Sequence, residues 1–116
     1  MILPIATLLD VNTVKNLVAD RVYEDVAPDK AKPPYIVWQE LNGDPVHNLD
    51  CPAQIDHVMY QVMCYHPNQT KAYELREVVR KILEQHSHIL NARISGQDPT
   101  TKLFVRGFDA NWFLDR

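Results

Sequence analysis

Apolar residues recur along this chain with two periods, and each change of period marks an element. Near the start, Ile5, Leu8 and Leu9, then Val14, Leu17 and Val18, recur at helical spacing. Pro4 suits a first helical turn, where its missing N–H costs nothing. Asp10 and Asn12 interrupt the pattern and supply cap chemistry. Residues 4–19 are therefore predicted as two helical pieces with a break near Asp10. Residues 21–24, Arg-Val-Tyr-Glu, read as a short strand. Pro28, Pro33 and Pro34 make the segment from Ala27 to Pro34 a loop. Tyr35 to Leu41 is rich in strand formers, including Ile36, Val37 and Trp38. Asn42-Gly-Asp-Pro45 is a turn signal.

The period of two returns after a polar stretch, in a long strand from about Ala53 to Tyr65. Val58, Tyr60, Val62 and Cys64 share one of its faces; Ile55, Met59, Met63 and Tyr65 are assigned to the other. His66-Pro-Asn-Gln ends it, and Asn68 is a good N-cap. Thr70 to Gln85 is the clearest helix. Ala72, Leu75, Val78, Val79, Ile82 and Leu83 make its apolar stripe, with Arg76, Glu77, Arg80, Lys81 and Glu84 mostly facing away. Ile89 to Ser95 is a weaker strand, Gly96 to Pro99 a turn, and Lys102 to Leu114 the last strand. Phe104, Phe108, Trp112 and Leu114 fall on one side of it; Leu103, Val105 and Phe113 fall on the other. Strands and helices do not strictly alternate, so a doubly wound parallel sheet does not fit. The expected class is α+β: an antiparallel sheet of about four strands, with one long helix and the short N-terminal helices packed on one face.

That arrangement has a geometric problem. A strand from residue 53 to residue 65 reaches roughly 43 Å at ~3.3 Å per residue. A domain of this size, with a radius of gyration near ~13 Å, is expected to be only about 26–34 Å wide. Either the strand bends or its end projects. Its second face is also partly apolar and needs a cover that the helices do not supply, and exposed apolar sheet generally marks a partner. Association with further copies is therefore expected from the pattern alone.

Composition narrows the class without naming an activity. The chain has 116 residues, enough for one domain with a core of its own. Its apolar share of 46% and charged share of 23% are those of a folded soluble protein. A formal charge of −3 argues against general nucleic-acid coating. No apolar run approaches the ~20 residues of a membrane span, and Met1 to Leu9 lacks the Lys or Arg of a signal peptide. Cys51 and Cys64 are too few for a disulfide framework, which points to a cytosolic setting and leaves a single bond between them open. The unusual feature is 8 prolines against 3 glycines, which places sharp boundaries in a short chain.

No constellation of residues makes a persuasive site for chemistry. His86 and His88 stand at the end of a helix, where two-residue spacing does not bring imidazoles together. Cys64 with His57 or His66 lacks any visible oxyanion donor, so a buried strand cysteine is the simpler reading. The carboxylate pairs Glu24–Asp25 and Asp44–Asp50 fit solvated loops better than a magnesium site. Arg76, Arg80 and Lys81 are interleaved with Glu77 and Glu84 at i,i+4 spacing, as on a solvated helix face. The chain contains no P-loop, GxGxxG, HExxH or GxSxG motif. The expectation is a protein that is not an enzyme, with no metal and no cofactor.

Several segments then form one pattern in order. They are Ile5 to Val18, Asp20-Arg-Val-Tyr23 with Val26-Ala-Pro28, Pro34-Tyr-Ile-Val-Trp-Gln39, Gly43-Asp-Pro-Val46, Val58 to Tyr65, and the helix from Ala72 to Leu83. This resembles the tail completion family of tailed bacteriophages, also called tail-to-head joining or tail terminator proteins, from Ile5 to about Phe113. The resemblance implies a structural virion protein that caps the tail tube and joins it to the head connector as a ring, typically of six copies. It implies as partners further copies of itself, the tail tube protein and the head connector protein, with no membrane and no specific nucleic acid. Its location would be the tail–head interface of the virion, reached from the host cytoplasm during assembly. The expected interface residues are Pro33, Pro34, Tyr35, Trp38, Asp44, Ile55, Met59 and Met63. A different class, a small bacterial adaptor or regulatory module using the same sheet face, also fits these residues.

Overall fold

The structure is a computed structural model that describes residues 4–41 and 57–113, without the side chains of residues 57, 58, 91–93 and 113. Three helices and five strands follow in the order α1 (Ile5–Leu8), α2 (Asn12–Val18), β1 (Val22–Glu24), β2 (Tyr35–Glu40), β3 (His57–His66), α3 (Gln69–Leu83), β4 (Ser87–Gln97) and β5 (Phe104–Phe113). They build an α+β fold around one sheet of order β1-β2-β3-β5-β4.

The sequence pattern accounts for most of these boundaries. The N-terminal helical segment does break near Asp10, where Asp10 holds Lys15 in an exposed ion pair at 2.6 Å. Asn68 caps α3, its side chain accepting from the Lys71 amide at 3.0 Å. The turn before β5 lies later than its glycine suggested. Gly96 and Gln97 remain in β4, and Asp98 makes the turn by accepting from the amides of Thr100 and Thr101 at 2.8 and 3.2 Å. A carboxylate that gathers its own downstream amides sets a turn without glycine.

Two expectations need correction. The sheet has five strands rather than about four, and it is mixed: β1 pairs parallel with β2, with Val22, Tyr23 and Glu24 opposite Ile36, Val37 and Trp38. The other pairings are antiparallel. The proline-bearing loop makes the parallel pairing feasible, because it returns the chain from the end of β1 to the start of β2. Arg21 secures that return by donating from Nε to the Pro34 carbonyl at 2.9 Å. The second correction is Arg76, expected on the solvated face of α3 but only 7% exposed. It lies at the margin of the apolar stripe, with its guanidinium 4.8 Å from the Tyr73 ring centroid and its Nε 3.4 Å from Glu77. Long cationic side chains bury their stems along apolar surface in this way.

All three helices cover one face of the sheet. Ile5, Leu9, Val14 and Val18 from the short helices and Leu75, Val79 and Leu83 from α3 pack against Ile36, Trp38, Tyr60, Val62, Cys64, Phe108, Ala110 and Trp112. Tyr60 is fully buried there with its hydroxyl 2.6 Å from Ser87 Oγ, which satisfies both polar groups. β3 is described over ten residues, His57–His66, and residues 53–56, expected in the same strand, lie outside the described residues. The molecule measures 47 × 30 × 24 Å, and its radius of gyration of 14.9 Å exceeds the value for a sphere-like chain of this size.

Candidate assembly interface

Strand alternation fixes what the opposite face carries. Residues 35, 37 and 39 of β2, 59, 61, 63 and 65 of β3, and 105, 107, 109 and 111 of β5 all point away from the helices. Register then aligns them in rows. Tyr35, Tyr65 and Val105 form one row, Val37, Met63 and Gly107 the next, then Gln39, Gln61 and Asp109. Met59 faces Asn111 beyond these.

The first two rows are aromatic and aliphatic. Tyr35 stacks on Tyr65 with ring centroids 4.9 Å apart, and Tyr23 meets Tyr35 edge-on at 6.0 Å. Burial pushes the Tyr35 and Tyr65 hydroxyls above the usual phenol range, with neighbouring Tyr65 and Asp98 adding to the shift at Tyr35 and Asp98 at Tyr65. Met63 lies across Gly107, and a Cβ at Gly107 would stand 2.6 Å from its sulfur. The third row is polar. Gln61 Nε2 donates to Asp109 Oδ1 at 3.0 Å, and Gln39 Nε2 lies 3.4 Å from Gln61 Oε1. The face is thus an apolar patch bordered by an amide–carboxylate rung.

The expected interface residues distribute unevenly over this geometry. Tyr35, Met59 and Met63 lie on the open face, Tyr35 buried by its aromatic neighbours and both methionines half-buried. Pro33 is exposed and Pro34 half-buried in the loop that leads into β2. A groove of about 360 Å³ runs beside them, lined by Pro28, Lys30, Pro33, Tyr35 and Leu103 among others. Trp38 is a correction: it belongs to the core under the helices and is 4% exposed. Period-two alternation requires this, since Trp38 shares its face with Ile36 and not with Tyr35. Asp44 and Ile55 lie outside the described residues.

Tyr23, Val37, Gln39, Gln61 and Asp109 belong to the face although the sequence did not single them out. Alternation within β2 could have added Val37 and Gln39 to Tyr35. Tyr23 and Asp109 needed the pairing register, which a single chain's pattern does not contain.

Three of the groups considered for catalysis have structural surroundings, while Asp44, Asp50 and the side chain of His57 lie outside the described residues. Cys64 is fully buried, and burial pushes its thiol up to about 12 against a smaller opposing effect of Arg76. Burial therefore favours the protonated thiol at neutral pH. His66 accepts from the Asn68 amide through Nδ1 at 2.9 Å; burial and then Lys71 hold its pKa below the usual value. His86 stacks on Trp112 at 5.4 Å. Among the described residues no three His, Cys, Asp or Glu side chains gather as metal ligands, and no helix is long and apolar enough to cross a membrane.

Comparison with known proteins adds one finding. Neither the curated proteins nor the solved structures yield a match. A family described as "Tail completion protein gp17" matches residues 5–113, which includes all three helices and the whole described sheet. The chain belongs to this tail completion protein family of phage tail proteins.

Proposed function

We propose that the protein caps the phage tail tube when the tube reaches its final length and joins it to the head connector as a ring, with six copies as the expected number. The observation that carries this reading is the sheet face without helices, where the half-buried Tyr23, Val37, Met63 and Tyr65 adjoin the buried Tyr35 and Val105 across four strands. Contiguous apolar surface of this kind favours a protein partner. A second copy covering it would close a ring and occupy the surface through which subunits associate. The loop carrying Pro33 and Pro34 and the connection containing Asp44 are proposed as flanking contacts. The partners are further copies, the tube protein on one side and the connector protein on the other, with no membrane and no specific nucleic acid. A net charge of −3 suits a ring through which DNA passes without being gripped. The role is structural, in the virion at the tail–head junction, after assembly in the host cytoplasm.

Deleting the gene from the phage that encodes the chain tests this reading. The lysate is expected to contain filled heads and separate tails, with joined virions restored by the chain supplied in trans. Normal yields of joined virions from the deletion would overturn it.

A further inference from the structure

On the helix-covered side of the molecule, α3 carries an arginine whose hydrogen-bonding groups are left unmet. The Arg76 side chain is only 9% exposed. Among the described residues, none of its N–H groups donates a hydrogen bond. Nε is fully enclosed without an acceptor, while the two terminal nitrogens keep contact with solvent. Glu77 Oε2 stands 3.4 Å from Nε as an ion-pair neighbour and no more. Glu77 is engaged instead by Arg80, which reaches Oε1 at 2.9 Å and Oε2 at 3.4 Å and holds Glu84 at 2.8 Å. Buried polar groups are nearly always paired, and a buried guanidinium without acceptors lowers the stability of the free chain.

The surroundings say what would satisfy it. The Tyr73 ring lies 4.8 Å from the guanidinium carbon, and Tyr73 is itself 49% exposed. Ring and buried stem together fix the guanidinium plane, so little side-chain freedom is lost when a ligand arrives. Two parallel donors at the end of a fixed guanidinium match the two oxygens of a carboxylate. Charge points the same way. Along α3 and its cap, Lys71, Arg76, Arg80 and Lys81 stand against Glu74, Glu77 and Glu84, an excess of one positive charge. That excess suits a single monoanion. A nucleic-acid strand would bring a run of phosphates against the three glutamates. An arginine beside an exposed tyrosine is also the composition typical of anchor points in protein interfaces.

We infer that Arg76, beside Tyr73, is a recognition site for a side-chain carboxylate of a protein partner that docks on the helix side, opposite the open sheet face. The site stands on its own geometry and does not require the ring reading above. It gives the molecule a second contact surface with its own chemistry: one charge-assisted pair next to an aromatic ring. Arg76 then serves binding at the expense of free-chain stability.

The test has two arms. In the first, the full wild-type chain is titrated with sodium acetate, with dimethyl phosphate and with sodium chloride at matched ionic strength. The Arg76 Nε–Hε signal is followed by NMR and assigned by its absence from Arg76→Lys. Acetate is expected to shift it saturably, with a midpoint of about 10–100 mM, as for one charge-assisted pair. Chloride should give only a small linear drift. Equal drift with acetate and chloride would overturn the site. Tighter binding of dimethyl phosphate than of acetate would make a nucleic-acid backbone the ligand and overturn the carboxylate assignment. This arm uses the unaltered chain, so it does not depend on any variant folding. In the second arm, Arg76→Met should melt at the wild-type temperature or above it, because a buried charge is replaced by an apolar side chain of similar length. Supplied in trans to the deletion phage, it should nevertheless give at least about tenfold fewer joined virions than wild type. Wild-type joining by a folded Arg76→Met would overturn the partner.

Discussion

Gly107→Val is expected to yield no stably folded protein. Gly107 faces Met63 across the β3–β5 ladder, and a Cβ built there would overlap the Val62 carbonyl oxygen and stand 2.6 Å from the Met63 sulfur. The sulfur ends a flexible side chain and can move. The carbonyl belongs to the central strand of the sheet and can move only by displacing its ladder. Overpacking a well-filled site costs about 1–3 kcal/mol where side chains alone adjust. Displacing a ladder strand adds lost hydrogen bonds, and about 4 kcal/mol or more in total is a large part of the ~5–15 kcal/mol that holds a domain together. Gly107→Ala, which adds the Cβ alone, should lower the melting temperature by about 10 °C or more. Gly96→Ala is the control, because a Cβ there meets nothing within 4 Å. Its melt should stay within about 1 kcal/mol of wild type. Equal melts for Gly107→Ala and Gly96→Ala would show that the strands have room the structure does not give them.

Met63→Asp is expected to separate folding from assembly. Met63 lies in the middle of the open face between Val37 and Gly107, half-buried and away from the helix-covered core. In the free chain an aspartate there reaches water, so thermal stability should change by about 1 kcal/mol or less. In the assembled ring the same carboxylate would be buried against apolar side chains without a cation, at a cost of about 3 kcal/mol or more per contact. Every copy bears the change, so each contact around the ring is weakened. Purified Met63→Asp should melt like wild type, remain monomeric by mass photometry and fail to restore joined virions to a deletion phage. Normal joining by a folded Met63→Asp would remove this face from the interface. Val62→Asp, one residue away and fully buried under α3, should instead fail to fold.

These two neighbours show what the sequence could and could not tell. The alternation from Val58 to Tyr65 was legible, and it separated the core residues Tyr60, Val62 and Cys64 from Met59, Met63 and Tyr65 on the open face. The stripe of α3 and the break near Asp10 were legible for the same reason, since each depends on local periodicity. Trp38 lies in the core because it shares its parity with Ile36 and not with Tyr35. Asp109 was not singled out because its importance comes from lying beside Gln61, a neighbour 48 positions earlier in the chain. The parallel pairing of β1 with β2 was also not legible, because a three-residue strand has too few side chains to fix its direction.

In the proposed assembly, copies of this chain cover one another's open sheet face and so close the tail tube. The most direct measurement is negative-stain microscopy of the purified chain mixed with tail tubes purified from the deletion phage. The expected images show one ring at a single end of each tube, with tubes that no longer lengthen when free tube protein is added. Bare tube ends that continue to grow in the presence of the folded chain would contradict the account.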